Sequence, residues 1–191
     1  MGEKVRTFIA AEIPREVQGR AAALIDRLRA TEAKVKWVNP QQLHWTLKFL
    51  GDVELREIPE VCDAVARSVA HLKPFDVEAR GAGAFPDPRR PRTIWLGVGN
   101  GSEGMVELHS AVEQGLKPLG YRPEGRKFRP HVTIGRVRHS PSGIPELGRL
   151  VTEHADFDAG VCTVFEVVVF SSELGRDGPT YDPLAHAPLG G

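Results

Sequence analysis

The order of hydrophobic periodicities along the 191 residues predicts an α+β protein with a mainly antiparallel sheet. Three observations carry that reading. Apolar residues recur at helical spacing in three long segments and one weaker one, while the other apolar runs are short and bounded by Gly, Pro or Asn. Strand-like runs sit next to one another instead of alternating singly with helices, which disfavours a doubly wound parallel sheet. No long polar linker divides the chain, and its length fits one domain at about 150 residues per domain.

Val5 to Ala10 reads as the first strand. Pro14 suits a first helical turn, and Val17, Ala21, Leu24 and Leu28 carry the apolar stripe to about Ala30. Val35–Val38 and Leu43–Leu50 are expected to form a hairpin around Asn39-Pro40, closed by Gly51. Ile58, Val61, Val65, Val69 and Leu72 mark a second helix that ends before Pro74. Phe75–Ala79 and Thr93–Val98 read as strands joined through a Pro- and Arg-rich loop from Phe85 to Arg92. Ser102 is the expected cap of a third helix, with Met105, Leu108, Val112, Leu116 and Leu119 facing inward and Gly120 ending it. A basic loop from Tyr121 to Arg129 then leads into a strand from His131 to Val137. A weaker helix from Pro145 to His154 follows, then one long apolar strand from Val161 to Phe170 and a Gly- and Pro-rich tail.

Composition excludes several function classes. Lys plus Arg number 25, against 25 Asp plus Glu, so the chain is no bulk electrostatic coat for nucleic acid or membranes. Recognition of a nucleic-acid end, where a few phosphates suffice, stays open. Neutrality also conceals opposed patches. Gly120 to Ser140 holds six basic residues and one acidic, whereas Val151 to Gly191 holds seven acidic residues and one Arg. Cys62 and Cys162 make no disulfide framework and sit in no metal-ligand pair. With neither a signal-like start nor a run of 18 apolar residues, the expectation is a soluble, cytoplasmic protein without membrane or obligate protein partner.

The chemistry-bearing pattern occurs twice. His44-Trp45-Thr46-Leu47 and His131-Val132-Thr133-Ile134 are both His-x-Thr-x, 87 residues apart. Side chains alternate along a strand, so each His and Thr share one face while the apolar neighbours face the other way. Chance placement gives roughly 0.3 His-x-Thr pairs in a chain of this composition, so the two pairs inform only through their shared strand context. Imidazole holds or releases a proton near neutral pH. Two imidazoles on opposite sides of a phosphodiester can act as acid and base in one in-line displacement, with the hydroxyls bonding the non-bridging oxygens. No carboxylate or third histidine stands at ligand spacing from either pair, so neither a metal nor another cofactor is expected.

These residues resemble the two-histidine phosphoesterase superfamily, in its RNA 2′,3′-cyclic phosphodiesterase branch, once called 2′-5′ RNA ligases. The resemblance extends through RTFIAAEIP, KWVNPQQLHWTLKFLGDV (Lys36 to Val53), GAGAFPDPRRPRTIWLGV (Gly81 to Val98), FRPHVTIGRV (Phe128 to Val137) and VVVFSSELGRDGPTY (Val167 to Tyr181). It implies one bilobal unit over residues 1–191: two pseudo-symmetric lobes of antiparallel sheet with flanking helices, each lending one motif to a central cleft. It further implies His44 as proton donor to the departing ribose O3′, His131 as the acceptor that activates water, and Thr46 and Thr133 as phosphate ligands. The substrates so implied are RNA ends or small cyclic-phosphate nucleotides, and the product a 2′-phosphate. The alternatives are a 2′,5′-phosphodiesterase or ligase, a small cyclic-nucleotide phosphodiesterase, and a noncatalytic module that binds RNA ends. From Pro183 onward the tail departs from the family pattern, so no final sheet strand is expected there.

Secondary candidates follow from strand faces and charge. Lys48 shares the His44 face in an ideal pleat, and Arg129 that of His131, whereas Arg136 needs a bulge to reach it. Arg126 is a candidate backbone contact. Phe8, Phe49, Phe128 and Tyr181 are candidates for stacking a terminal base.

Overall fold

The computed structural model describes residues 2–138, 142–175 and 178–190. Its chain order is β1 (Lys4–Glu12), α1 (Arg15–Leu28), β2 (Val35–Trp37), β3 (His44–Glu54), α2 (Ile58–Val69), β4 (Phe75–Phe85), β5 (Thr93–Val98) and α3 (Ser102–Leu116). Then come β6 (His131–Val137), α4 (Ile144–Glu153), β7 (Asp158–Val164), β8 (Glu166–Leu174) and β9 (Pro179–Pro188). All pairings are antiparallel, in the order β7-β4-β5-β6-β3-β1-β8-β9, with β2 added on β6. The α+β expectation therefore holds. β6-β5-β4-β7 and β3-β1-β8-β9 form two halves with a His-x-Thr strand at the inner edge of each. They meet at one bridge, Trp45 opposite Val132.

The helical stripes bury as their periodicity requires. Val17, Ala21, Leu24 and Leu28 of α1, Val61 and Val65 of α2, and Met105, Leu108 and Val112 of α3 join Trp45, Leu47, Val132 and Ile134 in the main core. A second, smaller cluster of Phe8, Ala10, Val168 and Phe170, with Tyr181 against it, covers the other face of the β3-β1-β8-β9 half. Among the described residues no helix is long and apolar enough to cross a membrane.

Four local expectations are corrected. β2 does not form a hairpin with β3: it pairs with β6, and Pro40–Gln42 is a 3-10 turn capped by the Asn39 side chain. Ser102 is the first residue of α3 and not its cap; Gly101 stands at the cap with φ of 85°, where an added Cβ would meet the Asp76 carbonyl oxygen at 2.2 Å. The apolar run from Val161 to Phe170 is two strands, broken at Phe165, which enter opposite halves of the sheet. The Pro-containing tail is a strand after all. β9 pairs with β8 along its length, from Pro179 opposite Leu174 to Pro188 opposite Glu166. Its prolines are accommodated because an edge strand needs only one row of N–H groups.

Candidate active site

The bridge between Trp45 and Val132 brings the two motifs together. In this antiparallel register His44 falls across from Thr133 and Thr46 across from His131, all four on the face away from Trp45, Leu47, Val132 and Ile134, which are buried. The result is a quartet with pseudo-twofold symmetry.

Each imidazole is held in the same way. His44 Nδ1 is 2.7 Å from the Gln42 carbonyl oxygen, and His131 Nδ1 is 2.6 Å from that of Arg129. A carbonyl only accepts, so Nδ1 carries the proton and Nε2 is the free nitrogen in both neutral rings. Both histidines titrate below the ordinary value, mainly because burial disfavours the imidazolium. His131 is lowered further by the positive charges of Arg126, Arg129 and Arg136. For His44 the Gln42 carbonyl partly offsets the effect of burial.

In the unfolded chain both imidazoles return to the solvent value, so the folded protein binds fewer protons below about pH 6.5. Stability is therefore expected to fall as pH drops through about 6.5 toward the depressed folded values, then to level off. A His44→Asn/His131→Asn variant should lose less stability between about pH 7.5 and pH 5.5, read from urea midpoints. Equal losses in the two proteins would contradict this.

Matching bulges shape both strands. Ala10 pairs with Thr46 but Ile9 with Lys48, leaving Leu47 as the extra residue. Trp95 pairs with Thr133 but Ile94 with Gly135, leaving Ile134 as the extra residue. Each bulge thus lies three residues after its histidine and reverses the alternation beyond it. Arg136 consequently joins the His131 and Thr133 face, where its charge acts on His131 and on the Tyr181 phenol across the junction. Lys48 is turned the other way, and the expectation that it faces His44 is corrected. Only 3% exposed, it pairs with Glu113 of α3 at 2.7 Å and donates to the Arg122 carbonyl oxygen at 3.0 Å.

The aromatic candidates divide as well. Phe8 is buried with its ring 5.0 Å from that of His44, and Tyr181 meets His44 edge-on at 5.4 Å. Both support the imidazole from within its face. Phe49 takes the position corresponding to Arg136, 57% exposed and 6.0 Å from Phe8. Phe128 stacks on His109 of α3, ring centroids 4.0 Å apart. Arg129 lies over the Phe85 ring at 5.1 Å, and that ring meets His131 edge-on at 5.0 Å. Arg126 is exposed and paired with Glu124 at 3.2 Å.

Sequence reasoning missed Phe85 and Phe170, which pack beside His131 and His44, and the two carbonyls that fix their tautomers. The shared position of those carbonyls, two residues before each histidine, has no side-chain signature.

The family model for the 2′-5′ RNA ligase superfamily matches residues 14–176. A Methanothermobacter thermautotrophicus protein named RNA 2′,3′-cyclic phosphodiesterase is 36% identical over 181 residues, covering 95% of this chain and 97% of that one. A protein of the same name from Aeropyrum pernix is 36% identical over 166 residues, 87% of this chain and 93% of its own. Among solved structures, the TT0787 protein of Thermus thermophilus superposes with a TM-score of 0.81 at 27% identity, over 97% of this chain and 98% of that one.

Proposed function

Because the chain belongs to the 2′-5′ RNA ligase superfamily, we propose that it hydrolyses the 2′,3′-cyclic phosphate at an RNA end to a 2′-phosphate, as a single bilobal unit and without a metal ion. The observation that carries the reading is the quartet of His44, Thr46, His131 and Thr133 on one face, each imidazole presenting Nε2. Relatives that cover nearly their whole length with this chain carry the corresponding name.

The step assigns one proton to each histidine. Water attacks phosphorus while His131 Nε2 takes its proton. The P–O3′ bond breaks, and the electron pair on O3′ takes the proton from His44 Nε2, leaving the phosphate on O2′. The three guanidinium charges around His131 favour its neutral, proton-accepting form. Burial also lowers His44, so the anionic phosphate itself must favour the imidazolium that donates. The Thr46 and Thr133 hydroxyls donate to the non-bridging oxygens, with Arg136 adding charge stabilisation.

Purified protein in excess chelator is expected to convert a 2′,3′-cyclic-phosphate-ended oligoribonucleotide to a noncyclic end at the rate seen without chelator. Loss of turnover that is restored only by added divalent cation would contradict the metal-free reading.

A further inference from the structure

The β2·β6 ribbon leads away from His131 and carries an unusual charge pattern. Lys36 pairs directly with Arg136, and Val35 with Val137. One step on, the Arg138 N–H donates to the Lys34 carbonyl at 2.7 Å. Residues directly opposite in an antiparallel pair share a face. Two rows of like charge therefore stand side by side, Lys36 with Arg136 and Lys34 with Arg138, about 6.6 Å apart along the strands. Val35, Trp37 and Val137 on the alternate positions pack against the main core. All four cations are exposed. Among the described residues none has a carboxylate within ion-pair distance, whereas Arg80 and Arg149 in the same half each have one.

The bulge at Ile134 makes this the face of His131 and Thr133. Like charges placed directly opposite destabilise a strand pair. Four of them, unneutralised and contiguous with the catalytic face, fit an external polyanion.

Resting on the proposed hydrolysis, we propose that the β2·β6 ribbon is a phosphate track. Lys34, Lys36 and Arg138, continuing from Arg136, hold the phosphodiester backbone upstream of the reacting end, so the substrate class is an RNA strand and not a free mononucleotide. Steering is electrostatic and independent of base identity, because the track offers charge without aromatic platforms.

The test compares kcat/KM for a 2′,3′-cyclic-phosphate-ended heptaribonucleotide and for a 2′,3′-cyclic mononucleotide, across a salt series, in the wild type and in Lys34→Gln/Lys36→Gln/Arg138→Gln. The track predicts at least a tenfold loss on the heptamer at low salt with the mononucleotide unchanged. The log–log salt slope on the heptamer should flatten by about 2, from about 0.7 for each of three lost contacts. The variant should melt no lower than the wild type, since repulsion has been removed. An unchanged heptamer-to-mononucleotide ratio and slope would overturn the track. If the wild type turns over neither substrate, the hydrolytic reading fails by itself, and equilibrium binding of the heptamer decides the track: a slope flattened in the variant supports it, an unchanged slope overturns it.

Discussion

His131→Ala is expected to lower turnover of a cyclic-phosphate-ended RNA by about 10²–10⁴-fold, and His44→Ala by a comparable factor. Each removes one proton transfer from the displacement and leaves the phosphate contacts of Thr46, Thr133 and Arg136. Because acid and base serve one concerted step, the double variant should cost much less than the product of the single losses. KM should rise more in His44→Ala than in His131→Ala, since the resting phosphate and the His44 imidazolium stabilise each other while His131 is held neutral. Steady-state kinetics on the three variants checks all of this. Retained turnover in either single variant would remove the corresponding histidine from the mechanism. Near-normal urea midpoints would exclude misfolding as the cause, because truncating either ring leaves the main core untouched.

The largest stability effect is expected at Lys48. Its ammonium and the Glu113 carboxylate form a buried pair joining β3 to α3, with the Arg122 carbonyl as a third partner. Lys48→Met leaves Glu113 with only the His109 imidazole at 3.6 Å, whose charged form burial disfavours, while one carboxylate oxygen, Oε2, already lacks a hydrogen bond. The cost expected for breaking such a pair is about 3 kcal/mol. Lys48→Met/Glu113→Leu should recover most of that loss, because removing both charges also removes their desolvation penalty. Urea unfolding of the two variants reads the difference. A double variant as unstable as the single one would show that packing of the lysine stem, and not its charge, holds this position.

Lys48 also shows where sequence reasoning stops. Period-two alternation puts it on the face of His44, and the alternation holds as far as Thr46. The bulge at Leu47 then reverses it. Nothing in the composition of Leu47 announces an extra residue, since a bulge arises from how two strands align and not from either strand alone. The equivalent bulge at Ile134 acts in the opposite sense, bringing in Arg136 that ideal alternation turns away. What was legible is what depends on local periodicity: both His-x-Thr faces, the four helices and the strand from His131 to Val137.

Partner choice was not legible. β2 and β3 are separated by Val38 to Leu43 and suggest a hairpin, yet β2 pairs with the far-removed β6 through Val35 opposite Val137. Composition also hid β9. Pro179, Pro183 and Pro188 read as a tail, but at the sheet edge they remove only N–H groups that no neighbour requires. The charge pattern behaved differently. The basic excess between Gly120 and Ser140 was visible as a sum, while its sorting into cations around His131 and a ladder on β2·β6 required the register.

In-line attack of water on a cyclic phosphate, with departure of O3′, is tested most directly by hydrolysing a 2′,3′-cyclic-phosphate-ended RNA in heavy-oxygen water and locating both the phosphate and the label. The expected product is a 2′-phosphate carrying one solvent oxygen, with a free 3′-hydroxyl. A 3′-phosphate, or a cyclic end left intact by the wild-type protein, would contradict the assignment of His44 and His131 to this displacement.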